Sequence, residues 1–122
     1  MHEKWFEGCA GVEYRHLQVE VYGAPPLDQL VDIIDYIDSK IEDDKPVIVL
    51  CNGGTGRTGT ILSAYLMKKF NLTAEQATEK IKQIRGKRPR REKQLIILAE
   101  YKKTLLKNEV RLRTDENPFL NP

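Results

Sequence analysis

The chain has 122 residues, 40% of them apolar, which suits a single compact core. Lys and Arg number 20 against 18 Asp and Glu, so the net charge of +2 gives no bulk pull toward nucleic acid or membrane, and any anion site must be local. There is no apolar run of about 18 residues and no charged-then-apolar leader, so the reading is a cytoplasmic protein, neither inserted nor secreted.

In chain order, Trp5 and Phe6 stand ahead of Gly8 and Gly11 and suggest a short turn or helical stub. Val12, Tyr14, His16, Val19 and Val21 then alternate closely enough to predict a first strand over 12–21. Tyr22, Gly23, Ala24, Pro25 and Pro26 end it, because proline donates no amide hydrogen to a ladder. Leu27, Leu30, Val31, Ile34, Ile37 and Ile41 recur at helical spacing and predict an amphipathic helix entered through Pro26. After Glu42, Asp43 and Asp44, the run Val47, Ile48, Val49, Leu50 reads as a second strand covered on both faces, with Cys51 at its carboxyl end. A mainly buried helix is predicted over 57–70, and Thr73 with Gln76 forms a capping box for the next, which carries Ala77, Ile81 and Ile84 on one stripe. Gly86 and Pro89 end that helix, and a last helix over 92–107 groups Leu95, Leu98, Tyr101 and Leu105.

This order defines an α/β fold with a small central, mostly parallel sheet flanked by helices. Residues 1–110 are read as one domain and 111–122 as a C-terminal tail. Two strands make a poor sheet, so either the N-terminal residues add another or a second subunit covers the open edge in a homo-oligomer.

The segment Cys51, Asn52, Gly53, Gly54, Thr55, Gly56, Arg57, Thr58 links a buried strand to a helix, with three glycines between the cysteine and the arginine. Glycine lets successive amide hydrogens turn toward one centre, and the following helix adds unpaired N–H groups and the positive end of its dipole. A phosphate dianion fits such a cradle, formed by residues 52–57. The same field stabilises a thiolate, so it lowers the pKa of Cys51. The planar fork of Arg57 can grip two phosphate oxygens. The bland alternative is a buried apolar thiol at a strand end. A nucleotide-binding P-loop is a weaker reading, since Cys51 and Arg57 stand in place of its glycine and lysine. Cys9 is read as a packed thiol or as a redox partner of Cys51. His2 and His16 are isolated, so no metal site is expected.

A cysteine, five residues, then arginine and threonine resembles the signature of the cysteine-dependent protein tyrosine and dual-specificity phosphatases. Residues 47–67 are similar to small archaeal members, 16–30 resemble their acid-loop region and following helix, and Gln94 stands where they carry a late glutamine. The resemblance covers residues 11–105, and the strands and helix that usually come first in the family are expected to be missing. It implies that Cys51 attacks phosphorus, Arg57 holds the equatorial oxygens, and Thr58 helps sulfur leave when water attacks. Two positions depart from the family pattern. Leu50 replaces the histidine before the nucleophile, and Val21 falls where an aspartate protonates the leaving oxygen, which makes neighbouring Glu20 the candidate substitute acid.

Arg85, Lys87, Arg88, Arg90, Arg91 and Lys93 surround Gly86 and Pro89 in a basic cluster. It is either a solvated loop or an attractor of acidic phosphopeptides, inositol phosphates or RNA ends. No aromatic residue interleaves with it, so nucleic acid is a minor option. The expectation is a slow hydrolase of phosphate monoesters, phosphotyrosine in proteins first among them, needing neither metal nor cofactor. The alternatives are a non-catalytic phosphate-binding pseudophosphatase and an RNA 5′-phosphatase.

Overall fold

Apolar residues at helical spacing, with breakers where each run stops, shape the described part of the chain. In a computed structural model, residues 19, 23–49 and 56–116 are described. They form four helices: α1 (Leu27–Glu42), α2 (Arg57–Phe70), α3 (Ala74–Arg85) and α4 (Glu92–Glu116). Pro26 precedes α1 with φ −57° and accepts the Leu30 amide hydrogen at 2.9 Å, the geometry that suits proline at a helix entrance. The capping box of α3 is present in both directions: Thr73 Oγ1 accepts from the Gln76 amide, and Gln76 Oε1 accepts from the Thr73 amide. Gly86 closes α3 at φ 84°, a left-handed conformation that glycine adopts without Cβ strain.

Helix α2 packs against each of the other three. Its buried residues include Gly59, Ser63 and Ala64, small enough for close approach, together with Ile61 and Met67. Around them gather Leu30, Ile34 and Ile37 of α1, Ala77 of α3, and Ile97, Leu98 and Tyr101 of α4. Each fully enclosed Leu, Ile or Met contributes roughly 1.5–3 kcal/mol, so α2 is the element the rest of the core is built on.

The expected sheet is corrected by the structure. Among the described residues there is no strand, and the architecture is helical. Residues 47–49 carry no strand pairing: Val47 and Val49 pack against the helical core, while Ile48 between them is 75% exposed. A short apolar run asks for burial, and packing two of its residues on helices supplies that. A strand also needs a neighbouring backbone about 4.8 Å away to pair with, which the run itself does not encode. The first predicted strand, apart from Val19, lies outside the described residues, and among the described residues the small central parallel sheet has no counterpart.

Two helix faces also differ from their apolar patterns. Ile84 is 68% exposed on α3 and Leu95 is 42% exposed on α4. In α4 the inward position falls to Gln94, with Ile97, Leu98 and Tyr101. The helix also continues past Lys107 to Glu116, because nothing before Pro118 breaks it. Among the described residues, no helix is long and apolar enough to cross a membrane.

The C-terminal end of α2 is tied down by charge. Lys68 Nζ lies 2.7 Å from Asp35 and 3.4 Å from Asp38, and Lys69 Nζ lies 3.9 Å from Asp38. Burial pulls the Lys68 pKa down, but its hydrogen bonds and charge attraction with Asp35 and Asp38 together outweigh that and raise it. Burial, and secondarily the same two carboxylates, push the Tyr101 phenol well above its ordinary value.

Candidate active site

The N-terminal end of α2 begins on glycine. Gly56 has φ 85°, a conformation that costs other residues roughly 1–2 kcal/mol, and the space where its Cβ would stand is occupied. An atom there would lie 2.5 Å from Gln94 Oε1 and 3.1 Å from both Cδ and Nε2 of that side chain. Glycine is therefore required twice at this position, by backbone angle and by the side chain of α4 beneath it. The Gly56 carbonyl accepts from the Thr60 amide at 2.9 Å and from Thr60 Oγ1 at 2.7 Å, which fixes the direction in which the helix sets off.

The first turn of an α-helix presents N–H groups with no partner inside the helix. In α1, α3 and α4 an acidic residue sits in that turn: Asp28, Glu75 and Glu92. In α2 there is none, and among the described residues no side chain caps the helix. An acid would compete for the positive end of the dipole, so its absence keeps that end available to an external anion.

Two contacts distant in sequence join this helix end to the segment before α1. Arg57 Nη1 donates to the Val19 carbonyl at 3.0 Å, and the buried Gln94 Nε2 donates to the Gly23 carbonyl at 3.3 Å. From the α3–α4 connection, fully buried Pro89 packs on Gly59, where an added Cβ would meet its ring carbons at 3.3 Å. Thr58 is 6% exposed, and among the described residues its Oγ1 has no hydrogen-bond partner. A buried hydroxyl left so costs about 1–3 kcal/mol, a cost that an acceptor in the adjoining segment would remove.

Of the residues singled out from the sequence, Gly56, Arg57, Thr58 and Gln94 are brought together at one helix end. Cys51, Asn52, Gly53, Gly54, Thr55, Leu50, Glu20, Val21, His16 and Cys9 lie outside the described residues. Sequence reasoning missed Gly59 and the packing role of Pro89, which registered only as a helix breaker. It also missed the carbonyls of Val19 and Gly23, since a backbone acceptor leaves no mark in the residue type. No group of three or more His, Cys, Asp or Glu is placed to hold a metal ion among the described residues.

The likeness to known proteins falls on this same stretch. Residues 2–71, more than half the chain, match the family described as "Polymorphic toxin system, DSP-PTPase phosphatase". The chain is similar to an uncharacterised protein of Methanocaldococcus jannaschii, 35% identical over 63 residues that make up 47% of this chain and 40% of that protein. It is similar to a probable dual specificity protein phosphatase of Dictyostelium discoideum, 34% identical over 70 residues, 52% of this chain and 17% of that one. It is also similar to human dual specificity protein phosphatase 26, 31% identical over 97 residues, 74% of this chain and 46% of that one. The chain thus spans less than half the length of each of these relatives. It belongs to the DSP-PTPase phosphatase family.

Proposed function

We propose that this chain hydrolyses phosphate monoesters through a phosphocysteine formed on Cys51, with phosphotyrosine in proteins as the leading substrate class. The observation that carries the reading is the start of α2: Gly56, Arg57 and Thr58 open a helix with no acid in its first turn and, among the described residues, no side-chain cap. Residues 51–56 precede that positive end in the chain, and the order Cys51, Gly53, Gly54, Gly56, Arg57 supplies a thiol, glycine amides and a guanidinium in sequence.

In this mechanism the Cys51 thiolate attacks phosphorus, an S–P bond forms, and the ester P–O bond breaks with its electron pair leaving on oxygen. Amides of residues 52–56 and the fork of Arg57 hold the equatorial oxygens as charge shifts. The departing oxygen takes a proton from Glu20 or from water. Water then attacks phosphorus and gives a proton to the Glu20 carboxylate or hydroxide left by the first step, the S–P bond breaks with its electron pair on sulfur, and the returning thiolate accepts a hydrogen bond from Thr58 Oγ1. General acid catalysis is worth about 10²- to 10⁴-fold, so Val21 in place of the usual aspartate, together with Leu50 before the nucleophile, makes the enzyme slow.

Turnover of an activated aryl phosphate tests the reading. Cys51→Ser abolishes it while vanadate still binds, and the wild-type rate falls steeply as the leaving phenol becomes more basic. Val21→Asp raises the rate on the poorer leaving groups. Turnover that survives Cys51→Ser sinks the mechanism, and vanadate binding with no turnover in the wild type assigns the chain to the phosphate-binding pseudophosphatases.

A further inference from the structure

Helix α4 carries two apolar stripes. One, formed by Ile97, Leu98 and Tyr101 with the partly buried Leu105, faces the core. The other faces outward, where a surface helix ordinarily carries polar residues. Ile96, Ala99, Lys103 and Leu106 are all exposed, Ile96 by 50% and Leu106 by 45%, and the exposed Leu95 stands beside them. Their spacing of three, four and three residues is that of the seam between two paired helices. Scattered apolar residues on a surface are ordinary, but a stripe at this period asks for a partner. The helix also outruns its inner contacts. Leu105 is its last described residue in the core, yet the helix goes on to Glu116, about 16 Å further at 1.5 Å per residue.

We propose that the exposed stripe of α4 is the seam of a homodimer, in which the α4 helices of two copies lie antiparallel about a two-fold axis. Two observations choose this occupant. The chain's own tail is too short to cover the stripe: Ile96 lies 20 residues before Glu116, about 30 Å along the helix, whereas the six residues after Glu116 span at most about 21 Å. Charge then selects a second copy in one direction. With Lys103 of each copy laid over Leu106 of the other, Glu100 faces the second copy's Lys107, and the two-fold axis repeats the pair. The Lys103 stem covers Leu106 while its ammonium stays in water. In the parallel direction Lys103 would meet Lys103 and Lys107 would meet Lys102, so like charges oppose that arrangement. The antiparallel register also sets positions 110–113 of one helix beside Ala99 and Ile96 of the other, which gives the stretch after Leu105 a place to pack. This seam is independent of the chemistry at Arg57.

Sedimentation velocity of the full chain from about 1 to about 300 μM tests the seam. The sedimenting species shifts from monomer to dimer as concentration rises. Leu106→Glu holds it at monomer throughout, whereas Phe70→Glu, at an exposed apolar residue of α2, leaves the association unchanged. Far-ultraviolet circular dichroism reports whether each variant keeps its helices. Glu100 and Lys107 are both exposed, so their charges can be exchanged without touching the core. Glu100→Lys and Lys107→Glu each weaken the dimer about five- to tenfold, and the two together restore it. Should Leu106→Glu lose its helices, this exchange decides alone. A wild type that stays monomeric at the highest concentration overturns the seam, as does a dimer that survives Leu106→Glu with its helices intact or a double exchange that fails to restore pairing. A dimer tightened by Lys107→Glu, as relief of Lys102 in a parallel pair would produce, overturns the antiparallel arrangement, and a species larger than two overturns the two-fold axis.

Discussion

At its C-terminal end α2 meets Asp35 and Asp38 of α1 through Lys68 and Lys69, basic residues where the helix dipole is negative. At its N-terminal end the same helix offers a left-handed glycine and no acid in its first turn, and among the described residues it has no side-chain cap and a buried hydroxyl without a partner. One end has its charges matched within the chain and serves stability. The other, among the described residues, holds a buried hydroxyl with no partner, and that is the end an anion can occupy. Along one rigid element, structure and function are therefore separated by where the polar groups find partners.

The contrast is broken most severely at Arg57. Arg57→Lys removes the bidentate fork and lowers kcat/KM on an aryl phosphate by about 10²- to 10³-fold, whereas Lys68→Arg at the opposite end leaves it unchanged. Equal effects at the two ends would erase the distinction. A smaller effect is expected at Gly56. Gly56→Ala meets both the backbone penalty and Gln94, and costs roughly 2–3 kcal/mol in denaturant melts. Gln94→Ala alone loses the bond to the Gly23 carbonyl and costs about 1–3 kcal/mol. Their combination costs less than the sum by about 1 kcal/mol, because removing Gln94 relieves the contact. Strict additivity would mean that the two residues do not press on each other.

The mildest effect lies at the ion-paired end and appears only at alkaline pH. The folded chain keeps Tyr101 and Lys68 protonated where the unfolded chain, with values of 10.0 and 10.5, releases those protons. Stability from both groups is therefore intact below about pH 10 and is lost as pH rises through their raised folded values. Thermal melts across about pH 8 to 11 should show this decline, with a shallower one in Tyr101→Phe. Lys68→Met should cost only about 0.5 kcal/mol near neutrality, since the pairs are largely at the surface. Identical pH slopes for wild type and Tyr101→Phe would remove Tyr101 from the account.

Local chemistry was the readable part of this sequence. The stripe from Leu27 to Ile41, the start of α2 at Arg57, the box of Thr73 and Gln76 and the stop at Gly86 each rest on neighbours a few residues apart. The sheet was misread because Val47, Ile48 and Val49 declare only that they are apolar, and packing on helices covers Val47 and Val49 without a ladder while Ile48 stays exposed. On α4 the apolar pattern put Leu95 inward, yet Gln94 takes the buried place because its amide bonds the Gly23 carbonyl 71 residues away. Of the candidate site, the glycine, arginine and threonine were legible as a motif. The brace around them was not, since half of it is main chain and the rest depends on how α4 happens to be rotated.

That brace has an evolutionary corollary. Arg57 and Gln94 recognise carbonyl oxygens, which every amino acid provides, so the residue at position 19 can change without weakening the grip. The side chains of the segment that carries those carbonyls are thereby released to drift in size and charge, while Arg57 and Gln94 are held in place by what they grasp.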